Sequence, residues 1–459
     1  VRQKNKHKEY TLDKLADFFT ELMRRYMPDP FVFAIGLTLL TMALAVLAQG
    51  QAPALVLQSW GDGFWSLLAF TAQMAVILAM GYVLAVSSVV NGFLDRVVSR
   101  VSKPATAIIV ATLVGSIGSY LNWGFGLVIG GIVARKLAVH VRGVHYPLII
   151  AAAYSGFTFY GLGLSATIPV LISTPGHSLE SKMGLIGLGD TIFSLPMLLT
   201  TLCVLITLPL LNAWLHPKHA KDIVEIDPSL RREDSVNKTS PIDTLFADNT
   251  LAAKLNNSRL LSTVIGLLGM GYLALHFING GSLDLNKINF LILFLGILLL
   301  GTPRQYIASL SEGIKTISGI ILQFPFYAGI MAIMQSSGLV ESISHSFVGV
   351  ANAQTLPFWG LTSSFVINFF APSGGGHWAI QGPFMIEAAK SLNSSLAQTS
   401  MAVMLGNAWN DLVQPFWILP ALALSRLRLK DVMGYTVIMM IWVGLIYIGA
   451  VLLWGYQSH

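Results

Sequence analysis

Residues 368–384 read "NFFAPSGGGHWAIQGPF", and the fold turns on how this stretch is placed. Three consecutive glycines, Gly374, Gly375 and Gly376, stand between a proline and a His-Trp pair, with apolar runs on both sides. Non-helical backbone persists at membrane depth only where protein or water satisfies it. A flexible polar knot in such surroundings reads as the tip of a hairpin buried inside a membrane protein.

The composition agrees. The chain has 459 residues, of which 54% are apolar and 11% charged, with a mean hydropathy of +0.67. Soluble domains carry about 25% charged residues, so this chain cannot cover a water-facing surface. It reads as an all-α polytopic membrane protein in a lipid bilayer. Its single cysteine, Cys203, rules out an internal disulfide framework and a thiolate metal cluster. The net charge of +6 gives no sign of nucleic acid; its distribution reports membrane orientation instead.

A spanning helix needs about 20 mostly apolar residues. Such stretches occur at 29–48, 63–87, 146–173, 188–213, 259–277, 286–302, 317–338, 396–424 and 432–455. Two others, 104–139 and 354–391, are interrupted near the middle by Gly and Asn, and each half reads as a little short to cross. Both are expected to be re-entrant hairpins, giving nine spans and two hairpins. The basic residues support that count. With the N-terminus cytoplasmic and the C-terminus external, only Lys182, Lys287 and Lys390 of the 28 Lys and Arg residues fall outside. Residues 1–28 show helical spacing of apolar residues and read as an interfacial amphipathic helix rather than a signal peptide. The polar stretch 214–258 is expected to be a cytoplasmic linker between membrane repeats at 29–213 and 259–459.

The two halves look alike. Asn122 in "YLNWGFG" precedes Asn368 in "VINFFAPSGGG" by 246 positions. Each hairpin leads into a long span interrupted at its middle, "YSGFTFYGLGLSATIP" at 154–169 and "LGNAWNDLVQP" at 405–415. An odd number of crossings separates equivalent spans, so the second copy is inverted. The expected architecture is thus an inverted-repeat transporter with two re-entrant hairpins and two discontinuous helices, 146–173 and 396–424. The two tips should meet near the midplane, where matching discontinuities point to a transporter's binding site.

No Lys or Arg is expected deep in the membrane, so an anion would have to rest on helix N-termini and neutral donors. That equipment suits one small carboxylate. The candidate substrate-binding residues are Asn122, Trp123, Gly124, Ser165, Thr167, Asn368, Ser373, Gly374, Gly375, Gly376, His377 and Asn407. Asp411 is the one acid placed near the middle of a span, which makes it a functional candidate. With Asn410, Asn122 and Asn368 it is the candidate for coupling to a proton or a sodium ion. Blander readings stand beside these. The glycines serve close helix packing, and His377 satisfies a carbonyl freed by the turn. A further alternative is an intramembrane hydrolase built on Ser373 and His377, although no nucleophile elbow, zinc motif or P-loop accompanies them.

"NFFAPSGGGHWAIQGPFMIEAA", with "YLNWGFGLVIGGIVARKLA" and "YSGFTFYGLGLSATIPVLIST", closely resembles the bacterial short-chain fatty acid transporter family, from about residue 10 to the C-terminus. The resemblance implies a non-enzymatic carrier in the bacterial cytoplasmic membrane for short monocarboxylates such as acetoacetate or butyrate, needing no cofactor beyond a coupling ion. A dicarboxylate carrier or an anion channel of the same fold are the alternatives. The resemblance also implies kinship with the wider ion transporter superfamily, whose members are often homodimers working in elevator fashion. Sodium-coupled members carry Ser-Asn-Thr at the hairpin tips. Here Trp123 follows Asn122 and Phe369 follows Asn368, so the motif is incomplete at both and proton coupling stands beside sodium coupling.

Overall fold

The computed structural model describes residues 25, 30–227, 250–414, 417–418, 421–422 and 425–457. All of the expected interfacial helix at 1–28 but residue 25, residues 228–249 of the 214–258 linker and parts of 415–424 lie outside them. Among the described residues the chain is helical, with no strand. Several helices begin with proline in the first turn, as at Pro53, Pro104, Pro303 and Pro357. That position needs no N–H and suits the fixed φ of the ring.

Among the described residues seven helices are long and apolar enough to cross a membrane: Leu68–Ala85, Pro104–Leu121, Tyr146–Ile172, Leu195–Trp214, Arg259–Ile278, Ser318–Ser337 and Leu429–Tyr456. Two expected spans appear as shorter apolar helices, Phe31–Leu47 and Leu285–Leu300. The first hairpin departs from expectation in one respect. Its arms, Pro104–Leu121 and Trp123–His140, have 18 residues each, about 27 Å at 1.5 Å per residue. The first arm therefore does not lack length to cross. At Asn122 the chain reverses direction, and the second arm packs back along the first. The second hairpin begins with a 12-residue arm, Leu356–Ile367, which is short as expected, and continues into Gly374–Ser391.

Glycines let the arms of the first hairpin touch. A Cβ on Gly126 would fall on Ser119, and one on Gly130 would lie 3.6 Å from Gly115. Those pairings run antiparallel. Gly126 and Gly130 are thus packing glycines. The second hairpin is also antiparallel, pairing Gly360 with Gln381 and Ser364 with His377.

Both tips sit halfway along a neighbouring helix. Asn122 donates through Nδ2 to the Ile77 carbonyl (3.4 Å), and a Cβ on Gly124 would lie 3.1 Å from the Leu78 backbone. Ile77 and Leu78 mark the middle of Leu68–Ala85. The second tip lies against Phe324 and Tyr327, at the middle of Ser318–Ser337.

Polar segments at the helix ends contact one another. Lys136 pairs with Asp95 at 2.5 Å. The Tyr146 N–H donates to the Val224 carbonyl (2.7 Å) and the Gly143 N–H to the Glu225 carboxylate (2.7 Å). His145 joins the same junction: its Nδ1 accepts from the Val224 N–H (3.0 Å) and its Nε2 meets the Tyr435 hydroxyl (3.0 Å).

Candidate functional site

The helix that starts at Tyr146 tightens to 3-10 geometry over Gly156–Leu162 and stops, and a short helix resumes at Thr167–Ile172. Both hairpin tips converge on the gap. From the first, the Tyr120 carbonyl accepts the Leu164 N–H (2.7 Å), and the Trp123 N–H donates to the Ser165 hydroxyl (2.8 Å), which in turn donates to the Ser119 carbonyl (3.3 Å). From the second, Gly374 presses on Thr167, whose Cβ and Oγ1 lie 2.8 and 3.0 Å from where a Cβ would stand. Five residues, 163–167, therefore touch both tips. The second interrupted helix reaches the same place: Trp417 packs edge-on against Trp123 with ring centroids 5.4 Å apart.

The triple glycine has two physical roles here. A Cβ on Gly375 would strike Phe70, and one on Gly376 would strike Tyr327, so this conformation has no room for a side chain at either. Close packing is thus a sufficient reason for both. Their amides tell a second story. The N-cap, Ser373, makes no side-chain bond to the helix it begins, and the first three N–H groups of any helix have no intrahelical acceptor. The matching terminus in the first hairpin is closed, because the Asn122 carboxamide accepts the Phe125 N–H (2.8 Å).

Behind the second tip lies a buried polar network. Asn368 donates through Nδ2 to the Asp411 carboxylate (2.7 Å), the Asn410 carboxamide (3.1 Å) and the Asn407 carbonyl (3.2 Å). Asn407 donates to the Asn368 Oδ1 (2.5 Å) and to His377 Nδ1 (3.3 Å), while its Oδ1 accepts from the Tyr160 hydroxyl. On its far side His377 Nε2 meets Gln381 Oε1 (2.5 Å) and the Ser364 hydroxyl (3.0 Å). Gln381 Oε1 can only accept, so the proton sits on Nε2 and Nδ1 accepts from Asn407. His377 is therefore held by side chains, not by a carbonyl of the turn. Two buried atoms at one end stay unpartnered, Asp411 Oδ2 and Asn410 Nδ2.

The structure thus brings together Trp123, Ser165, Thr167 and Gly374 at the break, and Asn368, His377, Asn407, Asn410 and Asp411 in the network behind it. Asn122 and Gly124 instead seat the first tip on Leu68–Ala85. Ser373 and His377 share only a backbone bond, from the His377 N–H to the Ser373 carbonyl (2.7 Å); the side chain that meets His377 is Ser364. Phe370, at the second tip, is exposed and packs on Phe33. Tyr154, Tyr160, Ser364 and Gln381 were not singled out from the sequence. Ser364 and Gln381 bear a readable signal, polar residues thirteen before and four after a buried histidine on facing hairpin arms. The tyrosines have none.

Paired helical hairpins meeting at interrupted helices define a multi-pass membrane transporter, a class with no enzymatic chemistry. The family model for the short chain fatty acid transporter matches residues 11–454. The chain belongs to that family. Curated relatives in Escherichia coli (strain K12) and Haemophilus influenzae (strain ATCC 51907 / DSM 11121 / KW20 / Rd), both named "Putative short-chain fatty acid transporter", are 41% identical over 439 residues and 38% over 445. Each alignment covers 95% of this chain and 98% of the relative. The crystal structure of the Alcanivorax borkumensis YdaH transporter, described as having an unusual topology, superposes with a TM-score of 0.62 at 16% identity, covering 94% of this chain and 99% of that one. At that identity the likeness speaks for the fold.

Proposed function

We propose that this protein is a secondary active transporter of short-chain monocarboxylates, of the size of acetoacetate or butyrate, in the bacterial inner membrane. The observation that carries the reading is the second tip. Three successive glycine amides open the helix Gly374–Ser391 without a side-chain cap, beside a break that both hairpins touch. No Lys or Arg is buried among the described residues. Amides at a helix N-terminus are a ready anion site, and without a guanidinium they suit a single carboxylate better than a dianion.

Transport is coupled to a proton or a sodium ion through Asp411 and its neighbours. In the proposed topology the hairpins are re-entrant from opposite sides, the N-terminus is cytoplasmic and the C-terminus external. Hairpins and interrupted helices move together against the remaining spans, in a homodimer. The test is uptake of labelled butyrate and acetoacetate into proteoliposomes under an imposed proton or sodium gradient, with protein-free liposomes as the control. Saturable, gradient-driven accumulation supports the reading. Flux that neither saturates nor accumulates points to a channel, and strong competition by succinate to a dicarboxylate carrier.

A further inference from the structure

The groups around Asp411 carry a reading of the coupling ion, one that rests on the proposed transport function. Asp411 is fully buried and faces hydrogen-bond donors on several sides. Asn368 donates to Oδ1 at 2.7 Å, and the Tyr154 hydroxyl donates to the Asp411 carbonyl at 2.5 Å. Tyr160 donates next door, to the Asn407 carboxamide, and the neighbouring Asn410 holds an unpartnered Nδ2. The other titratable groups facing this cluster are His377, reached through Asn407, and Tyr447 of the last span, which meets the Thr158 hydroxyl at 3.1 Å. Among the described residues no second acid accompanies Asp411 in this cluster. Among the described residues, no group of three His, Cys, Asp or Glu gathers to hold a metal.

A sodium ion needs several oxygens turned towards it. Here the oxygens of Asn368, Asn407 and Asn410 already accept hydrogen bonds, and Asp411 Oδ2 is the one side-chain oxygen of the network left without a partner. One carboxamide donor, Asn368, reaches the carboxylate, and the oxygens around it are engaged with donors instead of being gathered towards a cation. The residues therefore fit a proton better than a sodium cage.

The same network ties the carboxylate to the anion site. Asn368, which holds Asp411, ends the first arm of the second hairpin. Asn407, which holds Asn368, also holds His377, the residue directly after Gly376. An anion on the triple-glycine amides and an ionised Asp411 would be two like charges in one dry region, linked by a short chain of hydrogen bonds. Two unit charges about 10 Å apart at an effective dielectric near 20 disfavour each other by about tenfold.

We propose that Asp411 is the proton carrier and that a monocarboxylate binds about tenfold more tightly when it is protonated, biasing transport towards one-to-one, electroneutral symport. In the binding step Asp411 Oδ2 takes a proton delivered from the solvent, so an O–H bond of hydronium or of the buffer acid breaks as the Asp411 O–H bond forms. The carboxylate goes from charge −1 to 0, the substrate brings −1, and the site's total charge stays the same. On the cytoplasmic side the substrate leaves and the proton follows it to water.

The experiment is calorimetric titration of the purified, detergent-solubilised full chain with butyrate, at pH 6 and pH 8, in paired buffers of different ionisation heat, with and without sodium. The expected result is net proton uptake averaging about half a proton per butyrate between pH 6 and pH 8, affinity about tenfold weaker at pH 8, and no effect of sodium. Asp411→Asn, which mimics the protonated form, is expected to bind equally at both pH values and to take up no proton. The proton count on the unaltered protein decides the matter even if that variant fails to fold. Butyrate binding without proton uptake, or binding that requires sodium, overturns the inference and leaves the transport reading standing. Absence of butyrate binding at both pH values, with or without sodium, overturns both.

Discussion

Asn122 and Ser373 share one backbone conformation, φ −157° with ψ 125° and φ −155° with ψ 120°, as N-caps of the second arms of the two hairpins. They are 251 positions apart, whereas Asn122 and Asn368 are 246 apart. Both spacings hold, each for one arm. Gly115 touches Gly156 as Leu361 touches Gly406, which keeps the first arms in the 246 register. Asn122 thus does two tasks in the first hairpin, ending one arm and capping the next. In the second hairpin Asn368 ends the first arm and Ser373 stands at the start of the second. The five extra residues, 369–373, separate the two tasks and free Asn368 to reach Asp411.

Removing the Asn122 side chain takes away the bond to the Phe125 N–H and the one to the Ile77 carbonyl. Asn122→Ala is expected to cost about 1–2 kcal/mol, seen as a lower Tm in detergent and reduced butyrate uptake. Asn122→Asp keeps the cap and should recover most of the Tm. An unchanged Tm in the alanine variant would show that the tip is not held by its cap.

At Gly375 a side chain meets Phe70 and, at 3.3 Å, Phe324. Gly375→Val should therefore abolish uptake and lower Tm, because two aromatic rings in a packed core have to shift. Gly271, whose Cβ would meet nothing within 4 Å, serves as the control: Gly271→Ala should leave both measurements within error. Normal uptake by Gly375→Val would mean that the tip is looser than its contacts imply.

The hairpins, the two breaks and the pairing of the halves were legible in the sequence because glycine, proline and asparagine interrupt long apolar runs at matching places. The acid inside the second interrupted helix was legible for the same reason: an Asp among apolar neighbours is costly unless something holds it. What held it was not legible. Tyr154 and Tyr160 lie about 250 residues away in the chain and meet Asp411 and Asn407 only because the two interrupted helices cross. The side-chain partner of His377 was not legible for a related reason. Ser373 is close in sequence, but a helical turn points its side chain elsewhere, while the antiparallel arm brings Ser364 within 3.0 Å. The apolar length of the first hairpin arm misled because span length reports what a helix is able to cross, not where its chain reverses.

Gln381 fixes the tautomer of His377 and bonds the Gly360 carbonyl at 3.1 Å and the Ser363 hydroxyl at 3.0 Å. Gln381→Leu keeps the volume but strips these partners. A buried polar group left without its partner costs about 1–3 kcal/mol, so a drop in Tm is expected. Weakened uptake should follow, because His377 and then Asn407 lose their orientation. Gln381→Glu restores an acceptor for His377 Nε2 and should recover uptake better than leucine does. Equal defects in the two variants would reduce Gln381 to a packing residue.

His145, just before the span Tyr146–Ile172, has its pKa lowered from 6.5 to about 4 by burial, helped by the nearby His216. Its Nδ1 accepts the Val224 N–H, and protonation there must break that bond. The unfolded chain therefore binds a proton near pH 6.5 that the folded chain refuses until about pH 4. The stability this group contributes is complete above about pH 6.5 and falls away as the pH drops towards 4. Tm measured from pH 8 to pH 4.5 should decline across that window. The decline should be shallower in His145→Gln, which keeps an acceptor but cannot titrate. Parallel curves for the two proteins would assign the acid sensitivity to other groups.

Depth is the property from which the site follows, and it is open to direct measurement. Cys203 lies exposed on the span Leu195–Trp214, so Cys203→Ser provides a cysteine-free background with little disturbance expected. Single cysteines at Asn122 and Ser373, both N-caps in extended backbone, then report where each tip sits. If both tips lie halfway through the bilayer around one break, a small membrane-impermeant thiol reagent should label each position slowly. Butyrate should protect both, since one ligand covers a place that both hairpins touch. Cysteines at Lys103 and Lys390, near the open ends of the hairpins, should react quickly, from opposite sides and without protection. If positions 122 and 373 each labelled fast from a separate face, indifferent to butyrate, the two tips would not share a site, and the triple-glycine amides would lose their claim to hold the substrate.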